Sequence, residues 1–326
     1  MSPLVEENSG LQANGSYEST DATEDGIAEE NGSVGTYQPT GVQGSVAIAT
    51  KPSESKPAPK RLDEQLNIEG KVFLVTGGGQ GLGLAMAEGL GEAGGIVYCL
   101  DWREEPHPDF FAAQKAIKSF PGKPSHGSLQ YRHVDVRDTE GLERITSEIA
   151  SLHKRIDGLV AAAAIQQVTP ATQYTVKDIC RMVDINFTGA FMSAAAVAKR
   201  MMEYHCKGSI VFVASMSGFV ANKGLLSPVY NSSKAALIQL ARNLAMEWGK
   251  HGIRVNSLCP GHVITPMVQA NFKEDPGLQE KWEEESMLGR IAMPDEFKGP
   301  ALYLCSPASS YMTGSAMIVD GGHTAW

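Results

Sequence analysis

A tyrosine and a lysine four residues apart are the first side chains in this sequence that could do chemistry. Tyr230 and Lys234 begin a long segment predicted to be a helix, where residues i and i+4 share one face. A nearby ammonium favours phenolate over phenol, so the pair could act as a general acid or base. Such pairs also occur on solvated helix surfaces. Ser215 ends a predicted buried strand upstream and could meet Tyr230 over a substrate carbonyl, because ligands bind at the carboxyl ends of parallel strands.

A glycine-rich turn, Thr76-Gly-Gly-Gly-Gln-Gly-Leu-Gly83, forms the second group of candidate residues. Its glycines would let the backbone approach a pyrophosphate, which also gains from the positive end of a helix dipole. The predicted strand before the turn and the predicted helix after it are the context that this motif requires. Asp101 ends the next predicted strand, where a carboxylate can bind an adenosine ribose and repel a 2′-phosphate. The same side chain could instead cap a helix or a turn.

Seven short β-branched runs alternate with longer amphipathic segments and would position these residues. The predicted strands are Lys71–Thr76, Ile96–Leu100, Leu129–Val134, Gly158–Ala162, Ser209–Ala214, Ile253–Leu258 and Ala316–Val319. The predicted helices lie near 81–93, 109–119, 139–153, 176–204, 230–251 and 295–304. Strands that are apolar on both faces and separated by helices indicate a parallel sheet covered on both sides. The predicted fold is therefore α/β, a Rossmann-type doubly wound parallel sheet of about seven strands, in a single domain over residues 61–326.

Residues 1–60 differ in composition from the rest of the chain. They are rich in Ser, Thr, Gly, Asn and Glu, and they end in a Pro/Lys linker at 51–60. Such a segment buries too little apolar surface to offset its conformational entropy, so a disordered acidic tail is predicted. The formal net charge is −9, and residues 61–326 hold 25 basic and 28 acidic groups. No basic stripe remains to neutralise a phosphate backbone, so nucleic-acid binding is not expected.

Membrane insertion, metal binding and disulfide formation also find no support in the sequence. No apolar run reaches the roughly 18 residues that a membrane span needs. The five cysteines never occur as CxxC, which favours reduced core thiols in a cytoplasmic protein and argues against a zinc site.

The order of these motifs resembles that of the short-chain dehydrogenase/reductase family over residues 67–326, with particular similarity to fungal polyol and sorbose-type reductases. Asn186, Ser215, Tyr230 and Lys234 match the family's catalytic positions. The resemblance implies that Tyr230 exchanges a proton with the substrate oxygen, while Lys234 lowers the pKa of Tyr230 and binds the nicotinamide ribose. It also implies that Ser215 stabilises charge on the substrate oxygen, and that Asn186 sits at a helix irregularity and anchors a water linked to Lys234.

The same resemblance implies NAD as the cofactor, with NADP possible, and no metal. Asp135 and Val136 match the pair that contacts adenine, and Pro260–Thr265 matches the segment that holds the carboxamide. NAD is favoured because neither Gln80 nor Trp102 offers a cation for a 2′-phosphate, although Arg103 could weaken this preference. The expected cofactor contacts are Gly77, Gln80, Gly81, Leu82, Gly83, Asp101, Asp135, Val136, Ala162, Tyr230, Lys234, Val263 and Thr265.

The chain departs from the family pattern after the fourth strand. The usual Asn-Asn-Ala-Gly is Ala161-Ala-Ala-Ala164 here, so the asparagines that help hold the central sheet are missing and Ala164 adds a methyl group beside the adenosine. We expect an altered cofactor affinity rather than its loss. The spacing of 15 between Ser215 and Tyr230 predicts a longer intervening loop.

The predicted function is NAD-dependent hydride transfer between the cofactor and a secondary alcohol or ketone, with a polyol or ketose favoured. The alternatives are a tailoring ketoreductase or dehydrogenase of secondary metabolism, and a cofactor-binding protein recruited for non-redox cyclisation or scaffolding. A homotetramer is expected, with a dimer as the alternative, because the last strand is a sheet edge. The predicted helix 230–251 also carries more apolar surface than one sheet face would cover, with Leu237, Leu240, Leu244 and Trp248. Gly322–Trp326 is expected near a neighbouring subunit.

Overall fold

Seven parallel strands form one sheet in the computed structural model, which describes residues 61–119 and 127–326. The strands are β1 (Val72–Thr76), β2 (Ile96–Asp101), β3 (Ser128–His133), β4 (Gly158–Ala161), β5 (Gly208–Val213), β6 (Ile253–Pro260) and β7 (Ala316–Val319). Their order across the sheet is β3-β2-β1-β4-β5-β6-β7. The predicted doubly wound α/β fold is therefore confirmed, whereas the predicted tail, residues 1–60, lies outside the described residues.

Helices cover both faces of this sheet. They are α1 (Leu62–Leu66), α2 (Gly81–Glu92), α3 (Pro108–Ser119), α4 (Thr139–His153), α5 (Val176–Val183), α6 (Ala190–Glu203), α7 (Pro228–Trp248), α8 (Pro266–Glu274), α9 (Leu278–Glu284) and α10 (Lys298–Cys305). Helices α4, α6 and α7 bury their apolar residues with one face of the sheet, and α2, α3 and α10 bury theirs with the other. Each helix supplies one apolar stripe, which is why the strands between them are apolar on both faces.

The long helix predicted over 176–204 is interrupted in the structure. One π-helical turn, Asp184–Gly189, separates α5 from α6 and contains Asn186. The helix irregularity expected at Asn186 is thus observed, and π turns of this kind are frequent at functional sites. Helices α8 and α9 were not predicted, because each is shorter than three turns and carries no strong apolar period.

The chain reverses its direction of travel across the sheet between β1 and β4, which are neighbours. Their amino ends are joined through the buried carboxylate of Asp157, whose Oδ2 accepts a hydrogen bond from the Val72 N–H at 2.9 Å. Their carboxyl ends are joined through Thr76, whose carbonyl accepts from the Ala162 N–H at 3.1 Å. The connections leaving β1 and β4 diverge to opposite sides, which opens a crevice at their carboxyl ends.

Two further sequence expectations concern membrane spans and thiols. Within residues 61–119 and 127–326, none of the helices has both the length and the apolarity that crossing a bilayer requires. The thiols of Cys99, Cys259 and Cys305 are free and buried, whereas Cys180 is exposed.

Candidate active site

A cavity of about 400 Å³ lies in the crevice at the carboxyl ends of β1 and β4. It brings together every residue predicted for catalysis or cofactor binding except Asn186. The predicted residues in its wall are Gly77, Gln80, Gly81, Leu82, Gly83, Asp101, Asp135, Val136, Ala162, Ser215, Tyr230, Lys234, Val263 and Thr265. The glycine turn and the tyrosine–lysine pair, more than 140 residues apart in sequence, therefore face the same space.

The glycine turn fits a dinucleotide because its backbone packs against the segment that follows β4. Gly77 has a φ of +66°, and a Cβ atom there would lie 2.8 Å from the Ala163 Cα. Gly81 has a φ of +57° and begins α2, so the free N–H groups of that helix open onto the cavity. Positive φ angles and close backbone approach are what glycine permits, and a helix N-terminus attracts phosphate. The turn can therefore hold the pyrophosphate of a nicotinamide dinucleotide.

Two carboxylates stand beside the glycine turn in different environments. Asp101 is 7% exposed, and its Oδ2 accepts a hydrogen bond from the Gly79 N–H at 3.0 Å. This contact fixes Asp101 at the position where an adenosine ribose would lie. Asp135 pairs with Arg137, whose Nη2 lies 2.6 Å from Oδ2, and this hydrogen bond holds the pKa of Asp135 below its usual range. Arg137 was not predicted, although its spacing from Asp135 permits the pair.

Strand β5 and helix α7 position the candidate proton-transfer groups. Ser215 follows β5, is 8% exposed and lies in the cavity wall. Pro228 provides a preformed first turn for α7, which then carries Tyr230 and Lys234 on one face. Lys234 is 2% exposed, and its Nζ donates to the Val213 carbonyl at 2.7 Å and lies 5.5 Å from the Tyr230 ring centroid.

Burial acts on both titrating groups of the pair. It raises the pKa of Tyr230 to about 12, and a hydrogen bond with Ser215 opposes the increase. It also lowers the pKa of the Lys234 ammonium to about 8, so this group remains mainly charged at neutral pH, 5.5 Å from the Tyr230 ring centroid. That Lys234 lowers the Tyr230 pKa stays a prediction. The phenol is protonated at neutral pH, which suits a proton donor to a carbonyl oxygen.

Asn186 lies behind the cavity wall. It is fully buried, and its Oδ1 accepts from the Ile165 N–H at 2.8 Å while its Nδ2 donates to the Ile165 carbonyl at 2.9 Å and to Ser233 Oγ at 3.1 Å. The side chain therefore joins the π turn to the loop after β4 and to α7. This geometry gives the Asn186 side chain a positioning role, and the water expected beside Asn186 stays a prediction.

The four alanines at 161–164 do not disrupt this edge of the sheet. Ala161 is the last residue of β4, and the Ala163 N–H reaches Thr76 Oγ1 at 3.3 Å. Thr76 thus provides both a carbonyl and a hydroxyl for the segment in which the family pattern has asparagines. Ala164 lies in the cavity wall with its methyl group, as expected, and the cavity remains open beside it.

Several wall residues could not be predicted from the sequence. Thr265 caps α8 by accepting a hydrogen bond from the Val268 N–H at 3.3 Å, and Pro266 follows at the first helical position. Helix α8 thereby brings Met267 and Val268 to the cavity wall, which also includes Ile165. Variable loops carry no periodic signal, so these apolar contacts become visible only in the structure.

A dinucleotide crevice that also contains a buried phenol and a hydroxyl defines a nicotinamide-dependent oxidoreductase of alcohols and ketones. Comparison with known proteins agrees. Residues 77–324 match the family model described as enoyl-(acyl carrier protein) reductase. The chain is 36% identical to the short chain dehydrogenases/reductase notP′ of Aspergillus versicolor, over 85% of this chain and 94% of that protein. It is 32% identical to the D-arabinitol 2-dehydrogenase [ribulose-forming] of Candida tropicalis, over 79% of this chain and 94% of that protein.

A solved structure is similar in both fold and sequence. It is a gluconate 5-dehydrogenase from Burkholderia cenocepacia J2315 in complex with NADP and tartrate, with 27% identity and a TM-score of 0.72. The match covers 82% of this chain and all of that one. The chain belongs to the short-chain dehydrogenase/reductase family, and the predicted similarity to fungal polyol reductases is confirmed. It is an NAD(P)-dependent alcohol dehydrogenase or reductase.

The Asn186→Asp variant tests the positioning role of this amide. A carboxylate of the same shape cannot donate to Ile165 or to Ser233, so we expect a loss of about 1–3 kcal/mol in the free energy of unfolding. We also expect a weaker Kd for the cofactor, because Ile165 is part of the cavity wall. Urea denaturation and fluorescence titration with NAD measure the two quantities.

Asn256→Asp is the matched control for this variant. Asn256 is also fully buried and bonds through both amide atoms, to the Met312 carbonyl at 2.9 Å and the Ser315 N–H at 3.1 Å, outside the cavity wall. It should lose similar stability with an unchanged cofactor Kd. Equal effects of both variants on the Kd would contradict the role assigned to Asn186.

Proposed function

We propose that this protein is an NAD-preferring enzyme that interconverts a secondary alcohol of a polyol and the corresponding ketose. The observation that carries the proposal is the shared cavity of Asp101, Ser215, Tyr230 and Lys234. A ribose-binding carboxylate at one end and a phenol with a hydroxyl at the other match the two ends of a nicotinamide dinucleotide and its substrate.

Each polar group at the substrate end has a defined task in this proposal. Tyr230 donates its proton to the carbonyl oxygen in reduction and takes it back from the alcohol in oxidation. Ser215 donates a hydrogen bond to the substrate oxygen as negative charge develops there. Lys234, held by the Val213 carbonyl, places a cation near the phenol and the nicotinamide ribose.

The substrate class rests on the relatives, since the Candida tropicalis protein is a ribulose-forming D-arabinitol 2-dehydrogenase. A second candidate, a tailoring reductase for a larger metabolite, is favoured by the apolar residues Ile165, Met267 and Val268 in the cavity wall. A cytoplasmic location belongs to the same proposal, because the buried cysteines are free thiols.

Replacing Tyr230 with phenylalanine is the first test of this mechanism. The variant keeps the ring but has no proton to exchange, so we expect kcat to fall by roughly 10²–10⁴-fold while NAD still binds. The measurement is absorbance at 340 nm with NAD and a panel of D-arabinitol, galactitol and acyclic apolar secondary alcohols. The panel also separates the two candidate substrate classes.

Tyr311→Phe is the control, because Tyr311 is fully exposed and outside the cavity wall. It should keep the activity of the unmodified chain. Near-normal turnover by Tyr230→Phe would show that the proton is exchanged by another group.

Asp101→Ala tests the preference for NAD over NADP. The variant removes a charged acceptor for the ribose hydroxyls, and it also removes the repulsion between this carboxylate and a 2′-phosphate. A hydrogen bond to a charged group is worth about 1.5–3 kcal/mol. We therefore expect the ratio of kcat/KM for NAD to that for NADP to fall by about tenfold or more. Asp109→Ala is the control, because the Asp109 side chain is 71% exposed. An unmodified chain that uses NADP as well as NAD would contradict the preference.

The proposal includes a homotetramer, with a dimer as the alternative, but one argument for it from the sequence is wrong. Leu237, Leu244 and Trp248 are buried within the protomer against the sheet, so they provide no surface for a partner. Other features support association. Strand β7 is an edge strand, where Ile318 is 43% exposed. Helices α5 and α7 share an apolar groove lined by Ile179, Val183, Phe187, Pro228, Val229 and Ala236.

Light scattering coupled to size exclusion tests this assembly. We expect about four times the chain mass of 34.9 kDa, and a smaller mass for Ile179→Arg, because a buried unpaired charge would disrupt contact through the groove. Leu62→Arg is the control, since Leu62 is 67% exposed on α1. A mass near that of one chain at micromolar concentration would contradict the assembly.

A further inference from the structure

Three buried polar side chains follow one another in the loop between β5 and α7. Ser215, Ser217 and Asn222 are 8%, 5% and 9% exposed. The hydroxyl oxygens of Ser215 and Ser217 lie 3.1 Å apart, and the Asn222 Nδ2 donates to Ser217 Oγ at 3.0 Å. Neither Ser217 nor Asn222 is part of the cavity wall, so both act on the substrate end only through Ser215.

The direction of the hydrogen bond between the two serines decides what Ser215 can do. A hydroxyl has one proton and two acceptor sites, and in a pair of hydroxyls either one can donate. The backbone N–H of Ser217 already donates to Ser215 Oγ at 3.1 Å and fills one acceptor site. If the Ser217 hydroxyl fills the other site, Ser215 must donate its proton elsewhere, toward Tyr230 and the substrate oxygen. If Ser215 donates to Ser217 instead, that proton is lost to the substrate.

We infer that Asn222 is a positioning residue that sets this direction. Its Nδ2 donates to Ser217 Oγ, fills one of the two acceptor sites of that hydroxyl and makes its O–H a stronger donor, which favours donation from Ser217 to Ser215 and leaves the Ser215 proton for the substrate oxygen. The inference rests on the proposed function, in which Ser215 is the donor to the developing negative charge.

The surroundings of Asn222 favour this role over one in packing alone. Among the described residues its Oδ1 is buried without a hydrogen-bond partner, so the hydrogen bond to Ser217 is the polar contact that holds the amide. A half-satisfied buried amide costs free energy that an apolar side chain of similar size would not cost. The hydrogen bond to Ser217 therefore explains why an amide occupies a position where an apolar side chain would be buried at a lower cost in free energy.

Asn222→Asp is the first test, because it preserves the shape and reverses the polarity. The carboxylate accepts from Ser217, which then accepts from Ser215, so we expect kcat with D-arabinitol and NAD to fall by roughly 10–100-fold. The KM for NAD should not change. A protonated carboxyl can donate again, so activity relative to the unmodified chain should recover as the pH falls from 8 to 5.5. A ratio that is independent of pH would overturn the inference.

Asn231→Asp is the matched control, at the first turn of α7, where the side chain bonds to the same loop. Asn231 also donates through Nδ2, to the Val220 carbonyl at 3.2 Å, and accepts from Ser227 Oγ at 3.1 Å, with no hydrogen bond to Ser215. Any loss of activity in this variant comes from loosening the loop and should show no recovery in acid. The same acid recovery in both variants would assign the effect to the loop and contradict the role of Asn222.

A double-mutant cycle separates the proposed chain of hydrogen bonds from independent effects. Ser217→Ala removes the hydroxyl through which Asn222 acts, so Asn222→Ala should lower kcat in the unmodified chain but cause little further loss in Ser217→Ala. Multiplicative losses in the double variant would overturn the inference.

Neutron diffraction from the deuterated protein answers the same question without turnover. The expected result is a deuteron of Ser217 directed at Ser215 Oγ and an Asn222 amide deuteron directed at Ser217 Oγ. A Ser215 deuteron directed at Ser217 would overturn the inference. If the unmodified chain oxidises no polyol, the proposed substrate fails while the diffraction result still decides the role of Asn222.

Discussion

The hydrogen bond from the buried ammonium of Lys234 to the carbonyl of Val213 is the interaction on which the site depends. It joins α7 to the end of β5. Tyr230 lies one helical turn before Lys234, and Ser215 lies two residues after Val213. Burial lowers the Lys234 pKa from 10.5 to about 8, a cost on the order of 3 kcal/mol for keeping the charge at neutral pH. An ammonium buried at this cost remains beside the carbonyl that accepts its hydrogen bond, so the contact fixes α7 against the sheet.

The same burial shifts the two titrating groups in opposite directions. Leaving water disfavours the charged form of each, which raises the pKa of Tyr230 to about 12 and lowers that of Lys234 to about 8. The neutral phenol is a proton donor, and the ammonium remains mainly charged at neutral pH. A positive charge brought close to the phenol would lower its pKa and favour the reverse transfer.

The sequence predicted well those features that depend on short-range patterns. β-Branched runs identified all seven strands, and the strand–turn–helix context identified the turn that begins at Gly77. It predicted poorly what depends on contacts between distant segments. Thr76 bonds to the alanine segment across the crevice, and Leu237 packs against the sheet rather than a partner. The orientation of α8 depends on a Thr265 cap and on loop packing, neither of which has a period that sequence patterns reveal.

Two buried amides beside the cavity illustrate how polar groups in this fold divide their tasks. Asn186 makes hydrogen bonds through both ends of its amide, with Ile165 and Ser233, so its bonds hold three segments together. Asn222 uses only its donor, on a serine whose own proton can point either way. In a low-dielectric interior, one fixed donor at the end of a chain of hydrogen bonds biases the proton direction of every hydroxyl that follows it. An amide that bonds through both its oxygen and its nitrogen therefore fixes the position of the segments around it. An amide that bonds only through its donor can instead fix the direction of hydroxyl protons, which backbone geometry alone cannot do.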